Sequence, residues 1–124
     1  MPDGRNNEVQ IQVASISALL VMKGYALVGR DKMKDAYDIY YAIRNSDTEA
    51  LVADCQALLT DPEARQGLMH IASKFTVSDD YGPDTVRRFL QESDSIGDMT
   101  PEQIQVDAFF RVTTLLQRLG LIAE

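Results

Sequence analysis

Six charged residues between positions 23 and 38 carry the side chains best suited to chemistry in this sequence. Lys23 interrupts an apolar stretch; Arg30, Lys32 and Lys34 follow it, and Asp35 and Asp38 come next. Basic side chains gathered at a helix N-terminus suit a phosphate, because cations and unpaired backbone N–H groups both attract negative charge. Two carboxylates three residues apart share one face of a helix. There they could hold a lysine in place or bind a magnesium ion. A plainer reading uses the same residues: the aspartates favour the positive end of the helix dipole, and Lys23 ties two helices together. Residue types alone leave both readings open.

The elements that would position these groups follow from periodicity. Wound at about 100° per residue, positions 16–28 place Ile16, Leu19, Leu20, Ala26 and Leu27 on one arc, with Lys23 near its middle. The opposite side, with Val21, Tyr25 and Val28, is apolar too. A helix apolar all round is expected to be buried. A lysine on it must be paired, must snorkel or must lose its charge. The next helix, over 34–44, carries Asp35 and Asp38 beside a core side of Ala36, Ile39 and Ile43. Further helices are expected at about 48–59, 62–76, 84–92 and 101–119. Thr100-Pro101-Glu102-Gln103 reads as a capping box with proline at N1, and Gly120 as the residue beyond a helix end. Asp61-Pro62 and Pro83-Asp84 read as further helix starts. Apolar stripes run through Leu51, Val52, Cys55, Leu58 and Leu59; through Leu68, Ile71, Ala72 and Phe75; and through Ala108, Phe109, Val112, Leu115, Leu116 and Leu119.

One segment departs from this pattern. Glu8 to Val13 alternates, with Val9, Ile11 and Val13 on one side and polar residues on the other, and turn residues precede it. That is the signature of a half-buried strand. A single strand cannot satisfy its own backbone, so a partner strand must lie elsewhere. The fold expected is mainly α: a bundle of five or six helices with a short N-terminal β-strand or hairpin.

Composition narrows the functions. The chain has 124 residues and a net charge of −7, so bulk nucleic-acid binding by its surface is not expected. Residues 1–45 carry six bases against five acids, and residues 46–124 six against fourteen, so basic character is confined to the first part. A single cysteine, Cys55, permits no internal disulfide and suits a reducing cytoplasm. The apolar run from Ile16 to Val28 is shorter than the roughly 20 residues a membrane span needs. Cys55 on a core stripe reads as packing. His70, the one histidine, lacks companions for zinc. Tyr37, Tyr40 and Tyr41 could stack on a base, though at helical spacing such residues more often pack with the hydroxyl outward. Arg87-Arg88 reads as a solvated face. Ser17, Ser46 and Ser78 have no base at useful spacing, so nucleophilic catalysis is not expected.

The stretch VASISALLVMKGYALVGRDKMKDAYDIYYAIRN resembles the second half of nucleotidyltransferases of the AbiEii/AbiGii toxin family. In that family a strand leads to a helix bearing a lysine, then a basic loop, then a helix of the form Lys/Arg-Asp-x-x-Asp-x-Tyr. The matching positions are Lys23, Arg30, Lys32, Lys34, Asp35, Asp38 and Tyr40, and the resemblance is strong over about residues 8–45. It implies that these residues help bind a nucleotide and its phosphates. The family's chemistry also uses an upstream Gly-Ser followed by an Asp-x-Asp that binds two metal ions. This sequence has no Gly-Ser, and no Asp-x-Asp on a strand. The resemblance therefore implies that residues 1–14 are the terminal strand or hairpin of a missing nucleotidyltransferase sheet and 15–124 a helical domain, inactive alone. The chain itself is expected to hold no catalytic residue and no metal ligand. Magnesium and a nucleoside triphosphate are implied only with the missing half, supplied upstream or in trans; an antitoxin or a second copy are the other implied partners. The alternative is a free-standing acidic helical module that dimerises or binds a protein.

Overall fold

Helix starts in this chain are written in its caps. Asp47 accepts from the Ala50 N–H at 2.9 Å, Asp61 from Glu63 at 3.1 Å, and Thr100 from Gln103 at 3.1 Å. The Gln103 side chain returns the bond to the Thr100 N–H, completing the capping box. Six helices result in the computed structural model, which describes the backbone of residues 4–123 and the side chains of residues 16–123. They are α1 (Gly4–Gly29), α2 (Met33–Arg44), α3 (Thr48–Leu58), α4 (Pro62–Lys74), α5 (Tyr81–Glu92) and α6 (Pro101–Arg118). Helix α5 begins a few residues before the Pro83-Asp84 start read from the sequence. Asp80 caps it, accepting from the N–H of Tyr81 while also holding the N–H and hydroxyl of Thr76. Pro83 then falls in the first turn, where its missing N–H has no helical partner to lose.

Helix ends follow the same logic. After α6 the Gly120 N–H bonds to the Gln117 carbonyl and the Leu121 N–H to that of Leu116, with Gly120 at φ 74°. This is the left-handed cap that glycine adopts without strain. After α5 the identical pattern runs through Asp94, at φ 55°, with Asp94 bonded to Gln91 and Ser95 to Leu90. A side chain in that region costs about 1 kcal/mol. Asp94→Gly is accordingly expected to raise the melting temperature by a few degrees, and an unchanged or lowered melt would refute this account of the cap.

Packing places the charged cluster. Helix α1 lies along α4 and also touches α2 and α3; α2 packs on α5 and α6, and α5 on α6. The core between them is built from Leu20, Leu27, Ile39, Tyr40, Leu68, Ile71, Phe75, Val86, Ile104, Val112 and Leu116. The stripes read from α4 and α6 face this core, with only Phe109 half-buried. In α3, Leu51, Val52 and Cys55 are buried and Leu58 and Leu59 half-buried. Where α1 crosses α4, no side chain lies between the backbones: a Cβ on Gly24 would sit 1.9 Å from the Gly67 carbonyl oxygen.

Two expectations are corrected. The described residues contain no strand; the segment read as β, residues 8–14, lies inside α1. Apart from its ends, a helix satisfies its backbone groups within its own turns, whereas a strand here has no partner strand among the described residues. Where the Val9, Ile11 and Val13 side chains point lies outside the described residues, as does the start of the expected hairpin at residues 1–3. Nor is α1 buried all round. Leu20, Gly24 and Leu27 are inward, while Met22, Tyr25 and Val28 are exposed. The Tyr25 hydroxyl explains part of this, because it reaches along the surface to the Glu63 carbonyl oxygen at 2.7 Å.

Candidate functional site

The turn between α1 and α2 brings the two carboxylates of α2 back onto the lysine of α1. Lys23 Nζ lies 3.1 Å from Asp35 Oδ1 and 2.9 Å from Asp38 Oδ2, so the one ammonium bridges both acids. Its side chain is 19% exposed, while that of Asp35 is only 2% exposed. Asp35 accepts two further bonds from Arg30, from Nε at 2.8 Å and Nη2 at 2.8 Å, a bidentate fork. Lys34 closes the cluster from outside, with Nζ 3.0 and 3.2 Å from the two oxygens of Asp38.

The electrostatics follow from this geometry. The Arg30 fork, helped by Lys23, holds the Asp35 carboxyl below the usual aspartate range in spite of its burial. Asp38 first, and Asp35 with it, hold the Lys23 ammonium above its ordinary value against the opposing cost of burial. Three cations thus meet two carboxylates, an excess of one positive charge. The cluster lies at the start of α2, where the N-cap residue is Lys32, whose side chain makes no cap bond. The N-caps of α3, α4, α5 and α6 all use a carboxylate or hydroxyl for that bond. The Asp35 N–H turns back to the Lys32 carbonyl oxygen at 3.1 Å, which leaves the N–H groups of Met33 and Lys34 without a capping side chain, with Lys32 and Lys34 beside them.

Five of the six residues singled out from the sequence, Lys23, Arg30, Lys34, Asp35 and Asp38, are joined in one bonded cluster. Lys32 is exposed beside it and makes no ion pair among the described residues. The aspartates do not fit a resident magnesium ion, since their oxygens already accept from lysine and arginine. Among the described residues no three His, Cys, Asp or Glu side chains converge as metal ligands.

The tyrosines separate into different roles. Tyr40 is 1% exposed and donates to Asp107 Oδ2 at 2.6 Å; burial above all, and then that carboxylate, push its hydroxyl up to about 12. Tyr37 stacks on Phe89 at 4.7 Å, and Tyr41 stands exposed. Cys55 is fully buried, and burial pushes its thiol up to about 11, as suits a packing residue. His70 sits edge-on to Tyr25.

Sequence reasoning missed several contacts. Arg87 is no solvated residue: its Nε donates to Gln105 at 2.9 Å, and Gln105 reaches the Ser78 carbonyl, so α5, α6 and the loop before α5 are pinned together. Tyr81 donates to Asp31 at 2.7 Å and so anchors the α1–α2 turn to α5. Fifty positions separate that pair, and no local pattern announces it.

Comparison with known proteins adds one finding. A family model described as nucleotidyl transferase AbiEii toxin, Type IV TA system, matches residues 2–109. No curated protein and no solved structure matches the chain.

Proposed function

The chain belongs to the nucleotidyl transferase AbiEii toxin family, and from that membership we propose that its cluster at the start of α2 binds the phosphates of a nucleotide. The observation that carries the reading is the set of cations held by Asp35 and Asp38 around an uncapped helix N-terminus. Lys34 and Lys32 are the exposed members and make the phosphate contacts. Lys23 and Arg30 are fixed by their carboxylates, so they present charge without the entropy cost of ordering a free side chain. Asp35 and Asp38 act through these cations as positioning residues.

Transfer itself needs more than these residues offer. The family's Gly-Ser and Asp-x-Asp are not in these 124 residues. Nucleotidyl transfer needs carboxylate-held metal ions, and Asp35 and Asp38 do not supply them. The nucleoside triphosphate and magnesium would be used with a catalytic half supplied upstream or in trans. The toxin–antitoxin description of the family supports an antitoxin as a further partner.

Calorimetric titration of the purified chain with each nucleoside triphosphate tests this. Binding is expected, with Lys34→Gln weakening it roughly tenfold through loss of a charge-assisted contact. Incorporation of labelled nucleotide into protein or RNA is not expected. Incorporation that disappears in Asp38→Asn would overturn the assignment of catalysis to another polypeptide segment. One observation favours a second reading, as an acidic interaction module: Val106 and Phe110 are exposed on the outer face of α6. A chain that bound no nucleotide but formed dimers disrupted by Phe110→Ser would make that reading the better one.

A further inference from the structure

Helix α6 carries two large apolar side chains on the face turned away from the core. Val106 and Phe110, one turn apart, are 56% and 64% exposed, and Met99 lies half-buried at the start of the same groove. Glu102, Gln103 and Asp107 complete its lining. Gln103, Val106 and Phe110 fall three and four positions apart, so they form one stripe, running about 10 Å along the helix. Two of the polar members are already committed within the fold. The Gln103 side chain accepts from the Thr100 N–H at 2.9 Å, and Asp107 accepts from the Tyr40 hydroxyl and from Arg111 Nε. Met99 packs against the core. The groove is therefore formed before anything enters it, which lowers the cost of binding there.

The charge around the groove selects what could cover it. Between Arg88 and Arg111 the chain carries Glu92, Asp94, Asp98, Glu102 and Asp107 and no lysine or arginine. Asp107 is paired with Arg111; the other four make no ion pair among the described residues. Such a rim repels nucleic acid and an anionic lipid surface. It disfavours a second copy as well, because a two-fold axis through the stripe sets the carboxylates of one copy against those of the other. A basic partner is attracted. The described residues also contain no strand, so no sheet edge offers itself for strand addition, whereas the stripe suits a helix laid against it. Apolar residues two turns apart on such a helix span the same ~10 Å as the stripe.

We propose that this groove docks a basic amphipathic helix of a partner protein, with the apolar face of that helix on Val106 and Phe110 and its lysines or arginines toward Asp98 and Glu102. The inference goes beyond the phosphate reading and shares no residue with the charged cluster of α1 and α2, so either can fail without the other.

Selection of a displayed library of helical peptides on the purified chain tests it. The enriched peptides are expected to carry net positive charge and apolar residues at helical spacing. Synthetic copies should bind the chain with an affinity that falls as salt is raised. Phe110→Ser, and separately the pair Asp98→Asn with Glu102→Gln, are each expected to weaken them roughly tenfold. Tyr41→Ser, which removes an exposed aromatic from α2, is the control and should leave binding unchanged; a thermal melt of each variant reports folding. Enriched peptides that are neutral or acidic would overturn the basic partner. Peptides that bind the Phe110→Ser chain as tightly as the parent would overturn the groove, as would a library that yields no enrichment. Sedimentation of the chain alone over a range of concentrations covers the remaining occupant. A dimer that Phe110→Ser dissolves would assign the face to a second copy and overturn the proposal; a monomer throughout is the result expected.

Discussion

Replacing Asp35 by asparagine is expected to cost roughly 3–5 kcal/mol, the range for removing one partner of a buried ion pair. The shape of the side chain is preserved, so the loss isolates the charge. Asp35 accepts from Lys23 and twice from Arg30, and its side chain is 2% exposed. Asparagine offers one oxygen to these three donors and turns an NH2 group toward the others. The melting temperature should fall by roughly 10–20 °C for a domain of this size. Lys23→Met should cost less, because Asp35 keeps the Arg30 fork and Asp38 keeps Lys34. A melt within about 1 °C of the parent for Asp35→Asn would show that the cluster contributes no stability.

The same cluster contributes at both ends of the pH profile. Asp35 has a depressed pKa in the folded state, chiefly through Arg30. Its contribution is therefore fully present above the ordinary aspartate range and is lost as pH falls through the folded value. Lys23 has a raised pKa, chiefly through Asp38. Its contribution is present below the ordinary lysine value of 10.5 and is lost as pH rises through the raised one. Asparagine at position 35 removes the carboxylate that titrates on the acid side. Chemical denaturation from acid to neutral pH should then show a flatter acid limb than the parent.

The second large effect is expected at the crossing of α1 and α4. A Cβ on Gly24 would lie 1.9 Å from the Gly67 carbonyl oxygen and 2.8 Å from its carbon; one on Gly67 would lie 2.7 Å from both the Val21 carbonyl oxygen and Cγ1. Backbone oxygens cannot rotate aside as a side chain does, so the helices must separate. Gly24→Ala is expected to destabilise by about 3 kcal/mol, the upper part of the range for overpacking. That holds even though alanine gains about 1 kcal/mol of helix propensity over glycine. Gly29→Ala, near the end of the same helix with nothing within 4 Å, should be neutral or slightly stabilising in the same urea titration. Equal midpoints for the two variants would contradict the close approach. Because Lys23 precedes Gly24, moving α1 also moves the ammonium away from Asp35 and Asp38, and phosphate binding should weaken with stability.

The six helices and most of their boundaries, the starts of α1 and α5 excepted, were legible in the sequence because their causes are local. Thr100 and Gln103 cap within one turn, Gly120 turns the chain where only a left-handed residue fits without strain, and the stripe Leu68–Ile71–Phe75 needs only the helical period. The link between Lys23 and the aspartates was legible in part for a related reason: pairing is one of the few ways to accommodate a lysine on a core face, and Asp35 and Asp38 share a face of the next helix. The sequence misled at residues 8–14, where alternation resembles a strand. Alternation describes which side chains could share a face, but a strand exists only if another strand pairs with it, and none is found among the described residues. Tertiary structure alone decided the rest. Gly24 meets Gly67, Tyr81 meets Asp31, and Lys74 joins Arg30 in one cleft across 43 to 50 positions of sequence. Those meetings depend on how closely helix backbones approach and on which way the turns between them run, and no periodicity within a single helix encodes either.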